Sequence, residues 1–292
     1  VKRKVLLLLS LTKIRLTAFV VMSAMAGIYI GNTDQSSLSW IELIAFLLGT
    51  FGVVAAANTL NCYYEIDVDR LMKRTAKRPL VTGEITPKAA LLFGWTLAIA
   101  GSFLLAYFNN LLTAFLGFLG FALYVWFYTP LKKKSMHALS AGAIPGALPP
   151  VMGVTAITGA INAEALALFV ILFAWQIPHF LAIALFFKND YQNAALKTVA
   201  VEMGESKTLS LMKSTFILSL IVAFLPYFFF EAGLSFLFIV TAFISIFSVL
   251  YARKLNQNIN LMARSRFIFF ATLFYLPTVL GAWMLDKLGV SF

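Results

Sequence analysis

Charge is what this chain lacks. Only 12% of its 292 residues are Asp, Glu, Lys or Arg, against 61% hydrophobic, and the mean hydropathy is +0.89. No water-soluble domain of this length is so poor in charge, which excludes a soluble globular class and leaves an integral membrane protein. Cysteine is nearly missing as well. Cys62 stands alone, so neither an intrachain disulfide framework nor a cysteine-based metal cluster is open to the chain. Cys62 itself reads as a bystander beside Asn61. Acidic residues number 12 against 23 Lys and Arg, a net charge of +11. The excess is dispersed among membrane connections rather than gathered in one patch. It therefore reads as topology and lipid contact, and nucleic acid is not an expected partner.

Long apolar runs are what the chain has instead. Nine are long enough to span, at roughly 12–31, 39–60, 88–108, 110–129, 137–157, 163–187, 209–230, 232–253 and 266–287. They are uninterrupted rather than alternating, which predicts an all-α polytopic bundle around a central cavity, not a barrel. The first run is too long for a signal peptide, lacks a cleavage site and is followed by further spans, so none is expected. No linker or second domain is visible, and residues 1–292 read as one integral-membrane domain. Residues 1–11 (VKRKVLLLLSL) read as a short interfacial segment.

Alternate connections hold all of the 23 Lys and Arg except Lys287. The intervening connections, around Asp34, Asn109–Asn110, Thr158–Glu164 and Glu231, hold none. The positive-inside rule then predicts a cytoplasmic N-terminus, cytoplasmic loops at 61–87, 130–136, 188–208 and 254–265, and a cell-membrane location.

The densest polar stretch follows the second span: NTLNCYYEIDVDRLMKRTAKRPLVTG, residues 58–83. In a continuing helix Asn61, Glu65 and Asp69 stand at i, i+4 and i+8, within roughly 80° of arc, while Asp67 points elsewhere. An amide and two carboxylates on one face are hard oxygen ligands. They suit Mg²⁺, whose shell is completed by water and substrate phosphates. Arg70, Lys73, Arg74, Lys77 and Arg78 follow, and such cations suit the phosphates.

A second polar stretch on the same side follows the sixth span. His179 lies inside the span after Pro178, and Lys188, Asp190, Tyr191 and Lys197 follow at its edge. Two such ends four helices apart suggest a duplicated architecture with both loops over one cavity. Polar residues inside a membrane are expensive and so are functional candidates. Plainer readings stand beside them: Asn58 and Asn61 as interhelical hydrogen bonds, Asp67 as a solvated loop acid, His179 as packing, Lys132–Lys134 as a topology signal. The glycine- and proline-rich stretch 142–153 marks a broken or tightly packed helix near the cavity.

Asn61-x-x-x-Glu65-x-x-x-Asp69 followed by KRTAKRPLVTG (73–83) resembles the first aspartate-rich motif of the UbiA-type intramembrane prenyltransferases. LTKIRLT (11–17), YTPLKKK (128–134), GAIPGALPPVMG (142–153), and WQIPHFLAIA (175–184) with KNDY (188–191) resemble the branch of that family that farnesylates protohaem. Ile14 stands where the branch has proline, and Glu65 where many members have aspartate. The second motif lacks the paired aspartates of the wider family, having His179 and Asp190 in that region.

The resemblance implies transfer of a farnesyl group from farnesyl diphosphate to a vinyl group of haem b, giving haem O for terminal oxidases. It implies Mg²⁺ as cofactor and membrane lipid as surroundings. Haem A synthase or oxidase assembly proteins become prospective downstream partners. Asn61, Glu65 and Asp69 become metal and catalytic residues, joined by His179 and Asp190. Arg70, Lys73, Arg74, Arg78, Tyr128, Lys132, Lys188 and Lys197 become substrate-binding residues. His179 is then an iron ligand, a diphosphate donor or packing, with haem contact favoured. Competing readings are a prenyltransferase for a quinone precursor or another acceptor, a cation transporter, and a non-catalytic haem-binding assembly factor. A transporter's site should lie near the midplane, not at one mouth.

The charge alternation has a direct test. Single cysteines placed in each basic connection of a Cys62→Ala background should react with membrane-impermeant thiol reagents only from the cytoplasmic side. Labelling of the 61–87 loop from outside overturns both the orientation and the placement of the site.

Overall fold

An apolar run satisfies its backbone polar groups in lipid by closing its own hydrogen bonds, and each run here does so as a helix. The structure is a computed structural model describing residues 2–32, 37–230, 232–256 and 260–289. A short helix, α1 (Lys2–Leu11), leads into α2 (Ile14–Gly31) and α3 (Trp40–Tyr64), followed by the short α4 (Ile66–Leu71). Next come α5 (Pro87–Phe108) and α6 (Leu111–Ala122), which passes through a π-helical turn (Leu123–Tyr128) into α7 (Thr129–Leu131). After α8 (Ala138–Thr158) and α9 (Ala163–Phe186) stand two short pieces, α10 (Lys188–Asn193) and α11 (Val199–Glu202). The chain ends with α12 (Gly204–Val222), α13 (Leu225–Phe229), α14 (Leu234–Asn256) and α15 (Leu261–Lys287).

Among the described residues nine helices are long and apolar enough to span, as the hydropathy pattern predicts. The observed helices overrun several expected edges: the second continues to Tyr64, the seventh starts at Gly204 and the ninth at Leu261. Hydropathy marks where apolar residues stop, whereas a helix continues until its hydrogen bonds are capped. Asn260 caps α15, its side-chain oxygen accepting from the Ala263 N–H at 2.8 Å. Arg264 and Arg266 thus belong to the first turns of α15 rather than to a connection. At the other starts, Ser39 and Glu42 form a capping box, and Thr86 caps α5 ahead of Pro87. The connections at Asp34 and Glu231, and residues 257–259 of the 254–265 loop, lie outside the described residues.

The glycine- and proline-rich helix α8 is unbroken and is the centre of the bundle. Its span is 72% buried inside the protein, against at most 50% for any other. It packs against α2, α6 and α9, while α3 lies along α5 and α9 against α12 and α15. Small residues allow these approaches. Gly27 of α2 rests on the Pro150 backbone, and Gly153 of α8 rests on the Ala24 carbonyl. On the other side of the bundle, a methyl group added at Gly101 would lie 2.7 Å from the Gly49 carbonyl oxygen. Polar side chains tie the helices together as well: Asn58 donates to Thr17 at 3.2 Å, and the Thr113 and Thr155 hydroxyls meet at 2.9 Å.

Gly27→Val places a side chain against backbone that cannot move aside. It should destabilise the protein by about 1–3 kcal/mol, the usual cost of overpacking. Thermal unfolding in detergent checks this, with Gly281→Ala as the control, because nothing lies within 4 Å of a methyl group there.

Candidate active site

The acidic motif keeps its register through a break in the helix. Helix α3 ends at Tyr64, and Glu65 departs from helical geometry at φ −106° and ψ 12°. The hydrogen bonding nevertheless runs on. The Glu65 N–H donates to the Asn61 carbonyl at 3.0 Å, and the Asp69 N–H to the Glu65 carbonyl at 2.7 Å. Asn61, Glu65 and Asp69 therefore stay on one face, at 2%, 5% and 1% exposure, while Asp67 faces outward.

Each of the three is met by a cation from a different stretch of chain. The Lys13 ammonium donates to Asn61 Oδ1 at 3.1 Å. Lys132 pairs with Glu65 Oε1. Arg78 pairs with Asp69 Oδ2 at 2.5 Å. Asn61 Nδ2 donates to the Thr129 hydroxyl at 3.2 Å, which itself donates to the Tyr124 carbonyl at 2.8 Å. Two local irregularities aim these groups. Lys13 adopts a left-handed backbone, φ 50°, which costs a non-glycine residue about 1–2 kcal/mol. The π turn ends at Tyr128, whose ring lies 5.0 Å from the Lys132 ammonium and against Gly142, where any side chain would collide with it.

Burial pushes the Asp69 carboxyl above its ordinary range, with Arg78 working in the opposite direction. Burial likewise pushes the Lys13 ammonium down. Asp69 Oδ1 is buried with no hydrogen-bond partner among the described residues. A buried carboxylate oxygen without a partner is costly, and a cation ligand would satisfy it. No group of three or more His, Cys, Asp or Glu suited to a metal is present among the described residues. Two carboxylates and an amide form an incomplete, all-oxygen donor set. That set fits Mg²⁺ completed by phosphate oxygens and water.

The second polar stretch lies over the same end of the bundle. Val68 and Met72 pack with Ala194 and Leu196, and the Lys197 N–H donates to the Lys132 carbonyl at 3.1 Å. Lys73 and Arg74 face Phe186, Phe187, Asn189 and Asp190 across an open cleft of about 350 Å³. Arg3 pairs with Glu84 at 2.8 Å, so the N-terminal segment shares this face. His179 stands deeper, about 10 Å along α9 from Phe186. Its ring is stacked between Trp175 (5.2 Å) and Phe269 (5.0 Å), and its Nδ1 meets the Thr272 hydroxyl at 3.0 Å. That hydroxyl gives its proton to the Phe269 carbonyl at 2.6 Å. His179 Nδ1 is then the donor, and the lone pair is left on Nε2.

The sequence profile of the UbiA prenyltransferase family matches residues 20–274. A protoheme IX farnesyltransferase of Myxococcus xanthus is 37% identical, over 96% of this chain and 94% of its own length. The chain belongs to the UbiA prenyltransferase family. A protoheme IX farnesyltransferase of Cytophaga hutchinsonii is also 37% identical, over 95% of this chain and 96% of its own. Among solved structures, a digeranylgeranylglyceryl phosphate synthase superposes with a TM-score of 0.79 at 17% identity, covering 99% of this chain and 100% of that one. A UbiA homologue from Archaeoglobus fulgidus bound to DMAPP and Mg²⁺ superposes at 0.64 with 19% identity, covering 93% and 98%. At these identities the structures establish the fold.

Within this UbiA fold the expected site residues separate. Arg78, Lys132 and Tyr128 join the motif. Lys73, Arg74 and Asp190 line the outer cleft. Arg70 is exposed. Lys188 turns to Glu205 at 3.1 Å, because the chain changes direction at Phe187 and starts a new helix. Lys197 contributes its backbone rather than its exposed side chain. His179 touches none of the motif residues. The fold also brings in Lys13, Thr129, Thr272 and Phe269. In the sequence Lys13 reads only as one of the topology charges, although it lies in the family-like LTKIRLT segment, and Thr129 lies in YTPLKKK. Thr272 and Phe269 carry no signal in the sequence.

Removing one partner of a buried pair leaves an uncompensated charge. Arg78→Ala should lower stability by about 3 kcal/mol, and Asp69→Ala in addition should recover part of the loss. Detergent melting curves of the single and double variants check this.

Proposed function

We propose that the chain transfers the farnesyl group of farnesyl diphosphate to a vinyl group of haem b, giving haem O. The observation that carries this reading is the convergence of Lys13, Arg78 and Lys132 on the buried face of Asn61, Glu65 and Asp69. The near full-length similarity to proteins named protoheme IX farnesyltransferase supports haem as the acceptor.

Asn61, Glu65 and Asp69 are the residues that would hold Mg²⁺. When bound, Mg²⁺ supplies Lewis acidity toward the leaving diphosphate. Lys13, Arg78 and Lys132 give their charge to phosphate oxygens as the allylic C–O bond breaks, Arg78 in bidentate form. The apolar bundle keeps water from the allylic cation until the vinyl π-bond attacks it. Water then adds to the resulting cation and a proton leaves, which forms the hydroxyethylfarnesyl group. His179 offers its Nε2 lone pair, a donor suited to haem iron. In this reading residues 1–292 work as one integral-membrane unit whose basic connections face the cytoplasm.

The test is mass analysis of haem recovered after the protein is supplied with farnesyl diphosphate, haem b and Mg²⁺. Farnesylated haem is expected. Glu65→Gln and Asp69→Asn should each lower turnover by at least about 100-fold, with the protein still folded in the membrane, and Asp67→Asn should be mild. Near-normal turnover of the first two across a Mg²⁺ titration would remove the metal role. Unchanged haem beside a prenylated quinone precursor would move the acceptor to the other class.

A further inference from the structure

The cations at this end of the bundle fall into two sets that the sequence runs together. Lys13, Arg78 and Lys132 touch the motif oxygens. Lys73 and Arg74 do not. They are exposed, form no ion pair among the described residues, and face the end of α9 across the open cleft. The Arg74 guanidinium lies 4.8 Å from the Phe187 ring centre, which fixes its plane and leaves its N–H edge available.

Aromatic surface continues from this cleft into the bundle. Phe186 meets Phe269 edge-on at 5.2 Å, and Phe269 stacks on His179 at 5.0 Å. A cleft with two cations at its mouth and an aromatic wall below fits a flat apolar molecule bearing carboxylates on one edge. It fits a diphosphate poorly, because Asp190 shares the lining and repels a polyanion more than a pair of singly charged groups.

We propose that Lys73 and Arg74 bind the two propionate carboxylates of the haem acceptor, an assignment that rests on the reaction read above. Haem b carries its propionates on one edge and its vinyl groups away from them. Holding the carboxylates at the mouth turns the vinyl edge into the bundle. The porphyrin then lies against Phe186, at the edge of the Phe269–His179 stack. The two cation sets thus divide the substrates: the buried set takes the diphosphate and the outer pair takes the acceptor.

The experiment uses the full-length protein in detergent, titrated by absorption with haem b and with haem b dimethyl ester, whose propionates carry no charge. Wild type should bind haem about tenfold more tightly than the ester, the size expected for two solvent-facing charge contacts. Lys73→Ala/Arg74→Ala should bind haem no more tightly than the ester. The exchange variant Lys73→Arg/Arg74→Lys should restore the preference. Half-saturation by farnesyl diphosphate should stay unchanged in all of them. Equal binding of haem and ester by wild type overturns the carboxylate contact and leaves the reaction standing. So does a double variant that keeps the preference, or one that loses farnesyl diphosphate saturation instead. Wild type that prefers haem over the ester but transfers no farnesyl group supports the contact and removes the reaction.

Discussion

Two carboxylates buried at the mouth of a membrane bundle are the constraint on which the rest of the structure turns. Burying an ion unpaired costs several kcal/mol, and Glu65 and Asp69 are both almost fully enclosed. Neither is paired from its own helix. Arg78 returns from the following loop to Asp69, and Lys132 comes from the connection after α7 to Glu65. Lys13 at the α1–α2 junction covers the adjoining amide of Asn61. Stretches far apart in the chain are held together by this one face.

That convergence requires close helix packing behind it. α8 lies at the centre because its small residues let α2 approach to backbone contact at Gly27 and Gly153. Gly142 on the same helix leaves room for the Tyr128 ring, which in turn lies beside the Lys132 ammonium. The prolines of α8 do not break it. The helix is continuous from Ala138 to Thr158, with Pro145, Pro149 and Pro150 all buried among its neighbours. Packing thus reaches the chemistry through two steps, from glycine to tyrosine to lysine.

Four irregular features meet at this site. Lys13 holds a left-handed backbone, the chain turns π-helical before Thr129, α3 is interrupted at Glu65, and Asp69 keeps one buried oxygen without a partner. Each is unfavourable locally and is held by the surrounding pairs.

The sequence by itself determined the class, the span count and the acidic face. Apolar length and the absence of charge decide membrane helices through the bilayer's own chemistry, and the spacing of Asn61, Glu65 and Asp69 follows from helical periodicity, a local property. The register survives the break at Glu65 because hydrogen bonds between residues four apart continue across it. Which cation meets which oxygen is not local. Arg78 and Lys132 were candidates beside Arg70, Lys188 and Lys197, and nothing in residue type separates them. Only the folded chain, by turning at Phe187 and laying the loop after α10 over Lys132, divides the buried set from the exposed ones. The same holds for His179, whose stacking partner Phe269 and hydrogen-bond partner Thr272 come from the last helix. Pairing between distant segments depends on the closure of the whole bundle, and no window of sequence contains it.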